Sequence, residues 1–123
     1  MQTDKSKFKE EFKGRVYRFA LDIIAFVEQL PKGQVSRIMS DQLLRSATSI
    51  GANVVEAQGA GSKKDYTNFF AYALKSANET RFWLGLLRDS RKAEREPTDR
   101  LLREVTEIAN ILATSILTLK GKR

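Results

Sequence analysis

The chain contains no cysteine and no histidine. Without cysteine there is no disulfide and no thiolate metal site. Without histidine there is no Ser–His–Asp triad, no imidazole base and no imidazole ligand, and the Glu-x-x-His pairs of a di-iron bundle cannot be built. Proline occurs only at Pro31 and Pro97, so long helices are free to run uninterrupted. No apolar run approaches the roughly 18 residues that a membrane span needs. The N-terminal MQTDKSKFKEEFKGR is charged and lacks the apolar core of a secretion signal. These absences lead us to expect a cytoplasmic protein with no membrane span, no metal and no cofactor.

What is present fits one globular domain. The chain has 123 residues, 41% of them hydrophobic and 30% charged, enough for a single core. A net charge of +7 and a pI near 9.9 favour a polyanionic partner, nucleic acid first and an anionic membrane surface second.

Apolar residues recur at helical spacing throughout. Phe8, Phe12, Val16, Phe19, Ile23, Val27 and Leu30 follow one another in steps of three or four, one face of a first helix over about 6–30. Leu30-Pro31 and Gly33 end it. A second helix, about 37–58, carries Leu43, Ala47, Ile50, Val54 and Ala57, with a parallel row of Ser46, Ser49, Asn53 and Glu56. Its residues are small enough to let a neighbouring helix come close. Gly59-Ala60-Gly61 breaks the pattern, and Ser62-Lys63-Lys64-Asp65 has the form of a capping box. Tyr66, Phe70, Ala73, Ala77, Leu84 and Leu87 then mark a third helix, about 63–90, and Phe69, Trp83 and Leu86 form a second row beside them. Pro97 is expected as the first residue of a fourth helix, about 97–119, whose seam is Leu101, Val105, Ile108, Leu112, Ser115 and Leu119. The expectation is an all-α, up-down-up-down antiparallel four-helix bundle, a single domain spanning 1–123.

In that topology, the start of the first helix, the loop before the third and the end of the fourth share one pole. It gathers Lys5, Lys7, Lys9, Lys13, Lys63, Lys64, Lys120, Lys122 and Arg123, against Asp4, Glu10, Glu11 and Asp65, an excess of five positive charges. Those nine residues are the candidate nucleic-acid contacts, acting by phosphate neutralisation with little sequence preference. Catalytic candidates are scarce. Glu104 and Glu107 fall off the fourth helix's seam and read as solvated. Gly59-Ala-Gly-Ser-Lys-Lys lacks the spacing and the preceding strand of a phosphate loop. Helical spacing assigns Trp83 and the phenylalanines to packing.

The run LRSATSIGANVVEAQGAGSKKDY (44–66) and the later SANETRFWLGLL (76–87) resemble the four-helix-bundle family encoded by intervening sequences within 23S rRNA genes. The matching residues are Arg45, Ala47, Ser49-Ile50, Asn53, Glu56, Gly59, Ser62-Lys63-Lys64, then Ser76, Glu79 and Trp83-Leu84. The chain departs from the family at Ala57, where glycine is common, and at Ala60-Gly61, where arginines are frequent. The resemblance implies a small bacterial protein assembled as a ring-like homopentamer. It extends to the accessory proteins of diversity-generating retroelements, which bind nucleic acid and a reverse transcriptase.

With the chain reversing near Gly61, Asn53 is expected opposite Phe69, Ser46 opposite Ser76, Arg45 beside Glu79, and Glu56 against the third helix's start or a neighbouring subunit. Arg45, Ser49, Asn53, Glu56, Ser76 and Glu79 are therefore candidate structural or interface polar groups, which fix register when buried. Phe69, Trp83 and Leu86 are candidate apolar interface residues. The function expected is a non-enzymatic oligomer binding RNA or DNA through its basic pole. The alternative is an adaptor for a nucleic-acid enzyme such as a reverse transcriptase, without nucleic-acid contact of its own.

Overall fold

A computed structural model describes residues 3–122. It consists of α1 Asp4–Glu28, α2 Gln34–Gln58, α3 Lys63–Asp89 and α4 Arg95–Leu119, with no strand among the described residues. Arg123 lies outside them.

Helix starts follow the local capping chemistry. Thr3 Oγ1 accepts the Ser6 N–H at 3.1 Å, so α1 begins at Asp4 rather than near residue 6. At Gly33 φ is +145°, a conformation that favours glycine, and its carbonyl accepts the Arg37 N–H at 3.0 Å. That contact starts α2 at Gln34, three residues before the expected position. Ser62 Oγ accepts the Asp65 N–H at 3.1 Å, as the capping box requires, but the Ser62 N–H makes no return bond to the Asp65 carboxylate. α4 begins at Arg95, with Pro97 third instead of first. Any first-turn position suits a proline, because those N–H groups have no partner within the helix. After α3, Arg91 takes φ +62°, and the Lys92 N–H returns to the Leu87 carbonyl at 3.0 Å, which stops the helix.

One core joins all four helices, with Phe19, Ile23, Leu43, Ile50, Leu84, Leu87, Ile108 and Leu112 almost wholly shielded. The α1 row is buried only at Phe12, Val16, Phe19 and Ile23. Phe8, at the end of the core, is 44% exposed and stacks on Phe12 at 6.0 Å.

α2 and α3 pack most extensively. Ser46 meets Thr80, Ser49 meets Ser76 and Arg45 meets Glu79, so the paired numbers rise on one helix as they fall on the other and the two run antiparallel. The expected register was Ser46 opposite Ser76; the observed one is about a turn further along, with Ser49 taking that place. Gln58 ends α2 and Ser62 caps α3 as expected, so the shift comes from how the two helices slide against one another rather than from the turn between them. α1 meets α3 at their starts, where the Lys9 ammonium lies 5.1 Å from the Tyr66 ring centroid and Phe12 lies 6.2 Å from Phe70. At the other end, Phe26 of α1 and Leu30 just beyond it share a groove with Lys92 and Ala93 of the α3–α4 connection.

Candidate nucleic-acid interface

The Lys9 contact draws the start of α1 toward the start of α3. It brings together the start of α1, which carries Lys5, Lys7 and Lys9, and the start of α3, which carries Lys63 and Lys64; Lys9 itself lies over the Tyr66 ring, an electron-rich face that attracts a cation. Burial raises the Tyr66 phenol above its ordinary pKa, so the ring stays neutral beside these ammonium groups at physiological pH. Lys5, Lys7, Lys63, Lys64, Lys120 and Lys122 are exposed, while Lys9 and Lys13 are half-buried. Lys13 Nζ lies 3.6 Å from Glu10 Oε1. A neutral aromatic cluster of Phe8, Phe12, Tyr66 and Phe70 sits beneath the lysines.

The polar row of α2 and α3 forms a network. Ser76 Oγ donates to Ser49 Oγ at 3.0 Å, and Thr80 Oγ1 approaches Ser46 Oγ at 2.9 Å. Glu79 accepts from both Arg45 and Trp83 Nε1, the latter at 3.1 Å, and Arg45 also donates to Gln42 Oε1 at 2.9 Å. Asn53 turns back along its own helix to Ser49, 2.9 Å to the carbonyl and 3.1 Å to the hydroxyl, rather than reaching toward Phe69. Glu56 is exposed and, among the described residues, has no side-chain partner, so it does not bond the start of α3. No buried side-chain nitrogen or oxygen among the described residues lacks a partner. Much of the row is thus tied into the α2–α3 contact, with its buried polar atoms partnered.

Of the apolar row, Phe69 and Trp83 pack against the subunit's own core, whereas Leu86 is open. The larger uncovered side chains nearby are Tyr72 and Phe82. Sequence reasoning passed over both, although their spacing to Leu86 in steps of four and ten fits one helical stripe.

Arg15 and Glu104 overturn another expectation. Arg15 Nε and Nη2 donate to Glu104 Oε2 and Oε1, each at 2.8 Å, and Glu107 Oε1 lies 3.4 Å from Nη2. Glu104, partly buried, clamps α4 to α1, whereas Glu107 is exposed as expected and only borders the pair. The hydrogen bonds from Arg15 hold the Glu104 carboxyl below its ordinary range, despite the opposing effect of partial burial. Residues on two helices far apart in sequence carry no periodic signal of pairing, and so the clamp was missed. Beyond it, α1 and α4 part around a groove of about 970 Å³ whose apolar lining includes Phe26, Leu30, Pro97 and Leu101. Among the described residues no cluster of His, Cys, Asp or Glu is arranged to hold a metal ion. No helix there is long and apolar enough to cross a membrane.

The model of the 23S rRNA-intervening sequence protein family matches residues 11–114. Among solved structures, a protein of unknown function from the S23 ribosomal protein family of Bacteroides thetaiotaomicron is similar. It is 40% identical with a TM-score of 0.80, over 85% of this chain and 97% of that chain. Comparison with curated proteins yields no match.

Proposed function

This chain belongs to the 23S rRNA-intervening sequence protein family, and from that premise we propose a non-enzymatic protein that binds RNA or DNA through its lysine-rich pole. In this reading the helices run up-down-up-down and subunits assemble into a ring, a homopentamer by the family resemblance. With every subunit pointing the same way, the poles sum on one face and weak contacts become multivalent. The observation that carries the reading is the Lys9–Tyr66 contact, which brings two lysine-bearing helix starts together. Lysines on exposed side chains act as mobile point charges, so binding is electrostatic and weakly sequence-specific.

The test is a titration of structured RNA and of duplex DNA across a salt series. Affinity should fall steeply with salt, and Lys63→Ala with Lys64→Ala should reduce the log–log slope by about 2. Binding that ignores salt and these lysines would sink the proposal. A second reading rests on the exposed Tyr72, Phe82 and Leu86, which would suit a protein partner. On the expected resemblance to accessory proteins of diversity-generating retroelements, that partner would be a nucleic-acid enzyme such as a reverse transcriptase. Apolar docking of that kind would survive salt that strips phosphate contacts.

A further inference from the structure

Four aromatic rings gather at the lysine pole, and the fold itself occupies three of them. Phe12 and Phe70, 4% and 3% exposed, belong to the core and lie 6.2 Å apart. Tyr66 is half-buried, with the Phe70 ring stacked on it at 4.8 Å and the Lys9 ammonium 5.1 Å from its centroid. Phe8 is different. Helical spacing assigns it to packing with the rest of the α1 row, yet it is the one residue of that row left exposed. Phe12 lies almost parallel to it, at 6.0 Å and 8°. That contact steadies the ring from the core side and leaves it 44% open to water. The run of rings thus ends at the surface in a flat apolar platform.

We propose that Phe8 stacks an unpaired nucleobase, so that the lysine pole takes single-stranded RNA or DNA in preference to duplex. The proposal rests on the nucleic-acid reading above and names the form of nucleic acid that this pole selects. What surrounds the ring identifies its occupant. Lys5 lies one helical turn before Phe8, and Lys63 and Lys64 stand at the adjoining start of α3. In the up-down-up-down reading, Lys120 and Lys122 join them from the end of α4. Asp4 and Glu11 flank Phe8 one turn to either side on α1, so the positive charge that holds a strand comes from Lys5 and from the neighbouring helix ends. An apolar protein surface laid on Phe8 would have to strip water from these ammonium groups without pairing them. A nucleotide offers a flat base for the ring and a phosphate for the lysines together. In a duplex both faces of each base are already stacked and only the edges can be reached, whereas an unpaired base is free to lie on a side chain. Because every base has such a face, the selection is for strandedness and not for sequence.

Three probes of equal length test this by fluorescence anisotropy at one low salt concentration: oligothymidylate, the same phosphodiester strand without bases, and a duplex. The wild-type chain should bind oligothymidylate about tenfold more tightly than the baseless strand, although the two carry the same charge. Phe8→Leu keeps an apolar side chain and removes the aromatic face. It should lower affinity for oligothymidylate by about tenfold and leave the baseless strand, the duplex and the salt slope unchanged, whereas Phe8→Tyr should retain the preference. Circular dichroism checks that both variants fold. A wild-type chain that binds the two single strands equally, or a preference that survives Phe8→Leu, would overturn the stacking. The first of these comparisons needs no variant. Equal binding that still falls steeply with salt and weakens in Lys63→Ala with Lys64→Ala would overturn the stacking and leave the basic pole standing. No binding to any of the three probes would sink both.

Discussion

The α2–α3 seam and the α1–α4 seam enclose the same core by different means. The first is closed along its length by small side chains and hydroxyl pairs, Ser46 with Thr80 and Ser49 with Ser76, and capped outside by Arg45 and Glu79. The second is closed at one place by Arg15 on Glu104 and Glu107, and beyond that clamp it opens into the groove. Alanine and serine permit close backbone approach, so dispersion and short hydrogen bonds act along the whole contact. Where long charged residues face each other instead, the helices stand apart and a single charge-assisted pair must hold them.

The sharpest way to break this contrast is to add the same bulk to each side. Ala77 is fully buried, and Ala77→Leu should destabilise by about 2–3 kcal/mol through overpacking. Ala25 lines the groove, and Ala25→Leu should change stability by less than about 0.5 kcal/mol, as surface substitutions do. Thermal or urea unfolding measures both; equal costs would mean the seams are packed alike.

Next in size is the clamp. Arg15→Ala should cost about 1–2 kcal/mol, allowing for solvent screening of a partly exposed pair, and the loss should shrink in high salt. Because Arg15 lowers the Glu104 pKa from its ordinary 4.5, the folded chain binds that proton less readily than the unfolded one. The contribution is therefore complete above the unfolded value and disappears as pH falls through the lower folded value. Acid unfolding curves of the wild type and Glu104→Gln should differ near neutrality and converge below pH about 4.5. Curves that stay parallel would show that the pair adds nothing.

A smaller effect is expected at Thr80→Val, which keeps the shape and removes the hydroxyl that meets Ser46. Ser46 Oγ still reaches the Leu43 carbonyl at 3.2 Å, so no buried donor is stranded and the cost should be about 1 kcal/mol by urea melting. A last change lies outside both seams. Arg91 holds φ +62°, which glycine adopts without strain, so Arg91→Gly should stabilise by about 0.5–1 kcal/mol. It should leave the difference between the seams untouched.

The helices were legible because their cause is repetitive. Phe12, Val16, Phe19 and Ile23, or Leu101, Val105, Ile108 and Leu112, repeat at helical spacing in the chain itself, and Ser62 announces the start of α3. Starts without that grammar were misplaced: Gly33 carries no capping side chain, and Pro97 suits any position of a first turn. The pairing of Arg45 with Glu79 was foreseen at the right residues even though the neighbouring register was set one turn short. Glu104 was misread because helical position alone shows which way a carboxylate leaves its own helix. It does not show which guanidinium another helix brings to meet it.

Composition and periodicity by themselves determined four helices, a net positive charge and the absence of any cysteine or histidine chemistry, since each depends on residue type and local spacing. Tertiary structure alone decided where the two ends of that chemistry meet. It placed Lys9 over Tyr66, drew Arg15 to Glu104, moved Ser49 onto Ser76 and left Tyr17 and Phe82 uncovered. Such outcomes depend on how far each helix is rotated and slid against its neighbours. That geometry is set by the packing of all the side chains in the core together, and no single stretch of the chain contains it.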